Sequence, residues 1–528
     1  MIPRQTEGWG LHPHAWAVLL GLLCLLGSPG GVRAGPNEIE LRGVITQADH
    51  ETYVEVPFSV PENTERLTVT FEYDRSNRTV IDLGIRDPNG FRGWSGGNRS
   101  TFTLASSDAT SAYIPGFLPP GEWRLILGVP NIRKGASASW SARVRLDPRG
   151  APSPGSVFHE GAVRTGPGWY RGDLHTHSGH SDGSCDSLSG RRVPCPVFRT
   201  LEAARAAGLD FIALTEHNST SVYPELRALQ AYYDTLLVLP GREITTFQGH
   251  ANVFGVTSPL PFQLGSARAP TLDAVLDAVQ AEGGLLSINH PGMPSGEACM
   301  GCGWTAPIPD CRRITAVEIA NGGGLRLTGS AEGPLSGLPF WEGLLDRGCR
   351  VTGIAGSDNH DPDAKGGGQA PVGRPATVVY APELSQPAIL EGLRRGRVFV
   401  DLGAPAGASV DLTVASGKAQ AGMGGTLFTR PAARLRLTAI VTGLPDATVE
   451  FVAGGGGKPV ARTPVPVLGR PEVTAELRPG PGLKWVRADV RGPDGRLLLV
   501  GSPVYLQNGS RAVTESSHNG QGTVTLRP

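Results

Sequence analysis

The chain has no charge excess. Its 528 residues carry 48 Lys plus Arg and 48 Asp plus Glu. A nucleic-acid footprint needs a basic surplus, so no nucleic-acid partner is expected. Charged residues make up 18% of the chain, and beyond the N-terminal region no stretch is apolar enough to cross a bilayer. The glycines (73) and prolines (45) are many but dispersed, which implies turns rather than a low-complexity tract. Gly366, Gly367 and Gly368 are followed by no G-K-[ST], which excludes a P-loop. Residues 37–147 hold no histidine/acid cluster. A chain of this length and 39% hydrophobic content has room for two to four domains and a sizeable core.

The N-terminus has the pattern of an export signal. Arg4 lies in the n-region, Ala15 to Leu26 is nearly continuous apolar chain, and Val32-Arg33-Ala34 offers a small-residue cleavage site. Cleavage near Gly35 is the main reading and an uncleaved anchor the alternative; the two leucines before Cys24 argue against lipidation. The expected location is periplasmic or secreted, with no membrane span after signal cleavage. Six cysteines then remain: Cys185, Cys195, Cys299, Cys302, Cys311 and Cys349. An oxidising compartment favours disulfides, with 15 pairings open. A local Cys185–Cys195 staple fits the polar excursion between them. Cys299-x-x-Cys302 with Cys311 is alternatively a structural zinc site, although a fourth ligand is missing.

Residues 37–147 alternate in short apolar stretches between Pro-, Gly- and Asn-rich turns and predict a β-sandwich. A Pro/Gly-rich linker follows over 148–169. Residues 170–402 alternate strands with helices at Phe198 to Ala207, Tyr223 to Leu236, Thr271 to Glu282, Phe340 to Arg347 and Gln386 to Arg394. In the third of these, Leu272, Val275, Leu276 and Val279 form a stripe at helical spacing. Residues 403–506 return to β character and predict an Ig-like sandwich, with a polar tail over 507–528. The sequons at Asn77, Asn98, Asn218 and Asn508 are read as chance.

Seven of the twelve histidines fall between positions 175 and 360. His175 and His177, in R-G-D-L-H-T-H-S-G-H-S-D-G, leave the end of a short strand on one face, with Asp182 placed to fold back beside them. Further acids and histidines recur where apolar strands end. F-I-A-L-T leads to Glu216-His217-Asn218, and L-V-L-P-G-R to Glu243 with His250 beyond. L-L-S-I-N leads to His290, and V-T-G-I-A-G-S to Asp358-Asn359-His360. In an alternating fold the active site lies at the C-terminal ends of the strands, so five such ends point to one metal cluster.

Taken in order, H-T-H…S-D-G, E-H-N, G-R-E…G-H, N-H-P and G-S-D-N-H resemble the PHP (polymerase and histidinol phosphatase) superfamily. The nearest likeness is to its exported, carbaryl-hydrolase-type (CehA/McbA-like) branch, over residues 170 to 402. The resemblance implies a distorted (β/α)7 barrel, here flanked by N- and C-terminal β-sandwiches. It also implies a three-ion divalent cluster held by nine residues. One ion would take His175, His177, Glu243 and Asp358, and a second would share Glu243 and add His250 and His290. The third would take Asp182, His217 and His360. Such mixed ligands suit zinc, manganese or iron.

The activity implied is hydrolysis by a metal-activated hydroxide, with Glu243, Asp358 and His360 at its centre. An anionic small-molecule phosphoester, monoester or small diester, is the leading substrate class. A carbamate or carboxylic ester is the runner-up, and a non-catalytic metal- or ligand-binding protein is the third reading. Weaker assignments surround the cluster. His180 is either a substrate contact or proton shuttle, or a solvated loop residue. Glu216 is expected to orient a ligand. Arg374 is either an anion clamp or a surface ion pair. Nothing in the sequence specifies an oligomeric state.

Overall fold

The computed structural model describes residues 37–148, 158–159, 161–297, 299–363, 369–430, 432–454, 458–466 and 471–509. The expected signal segment, residues 149–157 of the expected linker, glycines 366–368 and the tail from 510 lie outside the described residues. The architecture is β-rich and multi-domain.

Two four-stranded antiparallel sheets come first. One holds Glu38–Thr46, Ser137–Pro148, Thr64–Tyr73 and Thr101–Ala105; the other holds Tyr53–Val60, Gly121–Asn131, Val80–Asp87 and Gly90–Gly96. Alternate residues such as Leu67, Val69, Phe71 and Trp123, Leu125, Leu127 are buried in one shared core, as the two-residue period of a strand requires.

The site is carried by the next sheet path. In spatial order it runs Thr352–Gly356, Ala316–Asn321, Leu285–Ile288, Gly249–Phe254, Leu237–Thr246, Phe211–Leu214, Arg164–Asp173, Ala376–Leu384 and Val398–Asp401. Phe211–Leu214, Leu285–Ile288 and Thr352–Gly356 are buried at every position, which explains their largely apolar sequences, interrupted by Ser287 and Thr352. The helix Leu272–Ala281 lays the predicted stripe, Leu272, Val275, Leu276 and Val279, into the core. Asp358 N donates to His175 O and His177 N to Asn359 O, at 2.8 and 2.9 Å. These bonds return the first strand of the path, Thr352–Gly356, to the Arg164–Asp173 strand at their C-terminal ends.

Several expectations need correction. Strand–helix alternation is not strict, because Gly249–Phe254 is a hairpin partner, antiparallel to both of its neighbours. The predicted linker is partly strand: Arg164–Asp173 pairs along Ala376–Leu384, and Trp169 packs against Phe399 and Tyr380. The second helix stops at Gln230, short of Leu236. No break in the sheet occurs at 402/403, because Phe399 pairs with Gly501 and Asp401 with Leu499. The same sheet therefore continues into the C-terminal strands, which face a second sheet of Ala419–Gly422, Ser409–Ser416, Leu435–Thr442 and Glu472–Leu477.

Buried polar groups fasten these parts together. Asp108, fully buried, accepts from Arg66 and Arg227 at 2.7 and 2.6 Å. Burial works against its charge, yet the two guanidiniums hold its carboxyl down to about 2. On the other side Trp485 Nε1 donates to Asp346 at 2.8 Å and Arg487 pairs with Glu342 at 2.7 Å. The disulfides are Cys185–Cys195, Cys299–Cys302 and Cys311–Cys349. They remove the zinc alternative for Cys299, Cys302 and Cys311, since a sulfur bonded to sulfur is no thiolate ligand. Among the described residues no helix is long and apolar enough to cross a membrane.

Candidate metal centre

The segments that follow the strands lie side by side. Thr176 is bridged to Asn359, and His217 to Glu243; Thr215 N donates to Thr176 O at 2.8 Å. This packing gathers side chains at one mouth from four strand ends and, unlike the expected fifth end, from within the hairpin of Leu237–Thr246 and Gly249–Phe254, whose ladder contains Glu243 and His250. Gly356 backs directly onto His175, so closely that a Cβ there would meet the His175 side chain. His290 and Asp358 are held at φ 26° and 53°. For residues other than glycine such angles cost of order 1–3 kcal/mol each, and they concentrate at functional sites.

All nine expected residues come together. Glu243, 1% exposed, is the hub. Its Oε2 lies 3.3 Å from His175 Nε2, 3.5 Å from His177 Nε2 and 3.0 Å from His217 Nδ1. Its Oε1 lies 3.3 Å from His250 Nδ1 and 3.4 Å from His290 Nε2. Asp358 Oδ1 stands 3.3 Å from His175 Nε2 and 3.2 Å from His177 Nε2. Asp182 Oδ1 stands 3.2 Å from His360 Nε2 and 3.5 Å from His217 Nε2. The grouping differs from expectation: His177 sits with Asp182, His217 and His360 as well as with His175 and Glu243, and His290 sits with His175 and Asp358 as well as with His250. The site grades from a closed floor to an open edge. His175 and His177 are fully buried, whereas Asp182 is 58% exposed.

A cation fits this donor set. Four imidazoles are turned by acceptors that take a proton and give none. His175 Nδ1 donates to Glu318 Oε1 at 3.0 Å, and His360 Nδ1 to Asp358 O at 2.9 Å. His250 Nε2 donates to Met300 O at 3.2 Å, and His290 Nδ1 to Cys302 O at 3.3 Å. Each ring is thereby left with its other nitrogen as a lone pair aimed at a carboxylate. Lone pair faces lone pair, and His175 Nε2 and Glu243 Oε2 are buried with no hydrogen-bond partner. Only positive charge between them resolves that arrangement.

The electrostatics make the same demand. Burial tends to raise the carboxyl of Glu243, but in the ion-free cluster the charge on His175 holds it well below its usual range. Asp358 behaves likewise, against burial, chiefly through the charge of His175. Burial opposes charge on His217, yet hydrogen bonds to Asp182 and Glu243 push it up to about 10. His177 goes the other way: burial and the neighbouring His360 press it down to about 4. Protons thus occupy part of the cluster when ions do not.

Glu318 and Asn321, neither singled out from the sequence, organise this centre. Besides His175, Glu318 accepts from His290 N at 2.9 Å and Asn321 Nδ2 at 3.2 Å. Asn321 Nδ2 also reaches Asp358 Oδ2 at 3.1 Å, while its Oδ1 takes Gly323 N at 2.8 Å. The available signal was an acid inside an otherwise apolar strand, A-V-E-I-A-N, ahead of three glycines. Glu216 is fully buried and accepts from Ser178 Oγ at 2.5 Å and from Ser181 Oγ, so it shapes the loop between His177 and Asp182. Asn218 ties to Thr245 on both sides of its amide, Oδ1 accepting from Thr245 N and Nδ2 donating to Thr245 O.

Two assignments are not brought to the centre. His180 turns to Ser221 Oγ at 2.8 Å and Glu225 Oε2 at 3.1 Å, on the neighbouring helix start. Arg374 is exposed and lines a cavity with Arg171 and Asp210, a lining that includes none of the nine cluster residues. Residues 371–374 precede Ala376–Leu384, whose start pairs with the C-terminal end of Arg164–Asp173 (Thr377 opposite Gly172), yet the Arg374 side chain lines that cavity rather than the imidazole cluster.

No known family model matches this chain, and no curated protein does. Among solved structures, one similar chain is a two-domain protein containing a predicted PHP-like metal-dependent phosphoesterase from Bacteroides vulgatus ATCC 8482. It is 19% identical over 64% of this chain and 95% of its own, with a TM-score of 0.34. Another is PliG of Salmonella Typhimurium, a periplasmic lysozyme inhibitor of g-type lysozyme. It is 16% identical over 22% of this chain and 94% of its own, with a TM-score of 0.14. Neither superposition is close enough to bear on fold or chemistry.

Proposed function

We propose that the chain is an exported, divalent-metal-dependent hydrolase of the PHP type, a distorted (β/α)7 barrel between β-sandwiches, acting on small anionic phosphoesters. The observation that carries this reading is the set of imidazoles whose outer nitrogens are committed to acceptors while their inner nitrogens converge on Glu243, Asp358 and Asp182.

His175, His177, Glu243 and Asp358 would hold one ion, Glu243 with His250 and His290 a second, and Asp182, His217 and His360 a third. Zinc, manganese or iron suits these ligands. When bound, the ions supply Lewis acidity toward an ester oxygen and acidify water. Glu243 reaches five imidazoles and would keep the ions in fixed relation. Glu318 and Asn321 lock His175 and Asp358 in their orientations. The graded exposure leaves Asp182, His217 and His360 on the side a substrate enters. Several charged phosphoryl oxygens match a multi-ion mouth better than the single developing oxyanion of a carbamate. Three disulfides accord with export.

The test is a side-by-side measurement of kcat/KM on 4-nitrophenyl phosphate, bis(4-nitrophenyl) phosphate and a naphthyl carbamate, with metal-loaded and chelator-treated protein. Metal-dependent turnover that favours a phosphoester supports the reading. Faster carbamate turnover overturns the substrate class, and no turnover with full metal overturns the enzyme.

A further inference from the structure

A cavity of about 630 Å³ is lined by Trp169, Arg171, Asp210, Arg374, Phe399 and Asp401 and by the 404–409 turn, and by none of the nine cluster residues. Its size falls within the range of small-molecule sites, and such sites favour junctions between structural units, as here, where the central sheet passes into the C-terminal strands. It belongs to neither the metal cluster nor the proposed reaction.

The charges in its wall are unequal in one respect. Arg171 Nε pairs with Asp401 at 3.0 Å. Asp210 takes Arg171 N at 2.8 Å and Arg164 Nη2 at 2.6 Å. Arg374 has no hydrogen-bonding or ionic partner for its side chain among the described residues. Once the paired charges cancel, one guanidinium remains at the edge of a wall that includes Trp169, Phe399, Val378 and the alanines of the turn. That combination recognises a single anionic group on an apolar or aromatic body: a guanidinium fork suits a carboxylate, and the indole offers a face for a ring.

The cavity floor is wired to the metal ligands. Arg171 Nη2 donates to Gly373 O at 2.7 Å, and Gly373 N donates to Asp173 Oδ2 at 2.7 Å. The other oxygen of Asp173, which is fully buried, takes His175 N at 3.1 Å and Ser357 N at 3.0 Å. One carboxylate therefore spans from the residue beside Arg374 to the backbone that carries His175 and Asp358. We infer that this cavity is an effector site for a small organic monoanion with an apolar body, and that its occupancy is transmitted through Gly373 and Asp173 to the metal centre.

The experiment uses the full mature protein loaded with zinc. Phenylacetate and indole-3-acetate, each beside its neutral amide, are titrated by calorimetry into wild type and Arg374→Gln, and zinc release to a chelator is timed with and without the acids. Arg374 is exposed and outside the metal cluster, so the variant keeps its fold and its zinc. Expected are saturable binding of at least one acid, at least tenfold weaker binding of its amide and of Arg374→Gln, and a change of twofold or more in zinc release in wild type alone. Equal binding by Arg374→Gln, or binding that vanishes when zinc is removed from wild type, places the acid on the metal and overturns the site. No saturable binding of either acid also overturns it. Binding with unchanged zinc release overturns the effector role.

Discussion

Replacing Glu318 by Gln tests whether the metal centre depends on tautomer control. The substitution keeps shape and removes one charge, but it converts one carboxylate oxygen into an NH2. Two orientations are available. If the amide oxygen stays with His290 N and Asn321 Nδ2, which lie 2.9 and 3.2 Å from Glu318 Oε2, the new NH2 confronts His175 Nδ1, now 3.0 Å from Oε1. His175 must then accept at Nδ1 and move its proton to Nε2, the nitrogen 3.3 Å from both Glu243 and Asp358. The reverse orientation sets an NH2 against two donors and leaves buried groups unsatisfied, at about 1–3 kcal/mol. The first orientation satisfies more partners, so a lost lone pair at His175 is the expected outcome. Outer-shell losses of this kind cost about 10–100-fold in metal affinity, or about 1.4–2.7 kcal/mol. The assay is chelator competition on wild type and Glu318→Gln, with imidazole nitrogen shifts to identify the His175 tautomer. Affinity within twofold of wild type, with His175 still protonated at Nδ1, would refute the reasoning.

Three further outcomes follow from the geometry. Glu243→Ala should lose more metal per chain than His217→Ala, measured by elemental analysis, because Glu243 reaches five imidazoles while His217 serves the open edge; equal losses would remove its hub role. Metal affinity should rise with pH between about 7 and the raised value of His217, about 10. The metal-free form holds a proton there that an ion must displace, so chelator competition that is flat over this range would contradict the proton–metal exchange. Arg374→Ala should leave phosphoester and carbamate turnover nearly unchanged without added effector, measured at equal metal loading. A selective loss on phosphoesters would return Arg374 to the active site.

Much of the site was legible because its chemistry lies on a simple pattern. Strands buried on both faces read as apolar runs, and polar residues directly after them, such as His175, His217, His290 and Asp358, stand out. The helix at Leu272–Ala281 was equally plain from its stripe. Glu318 was not legible, since its strand supplies no exposed motif and its role depends on which imidazole lies across the sheet. The hairpin Gly249–Phe254 was hidden because G-H-A-N-V-F gives no clear alternation and is buried throughout. The alternatives left open for His180 and Arg374 could not be decided from the sequence for a shared reason. Proximity in sequence to ligands says nothing about the direction a side chain takes, and Arg374 lies in the turn before Ala376–Leu384 with its side chain in another cavity. The continuity of the sheet through Phe399 and Gly501 joins residues about a hundred positions apart, which no local composition reports.

The most direct measurement is the metal content and metal position of the purified protein. After saturation with zinc or manganese and removal of loose ions, elemental analysis with anomalous diffraction should give three divalent ions per chain, all among His175, His177, Asp182, His217, Glu243, His250, His290, Asp358 and His360. Less than one ion per chain, or ions bound only away from these nine residues, would contradict the account.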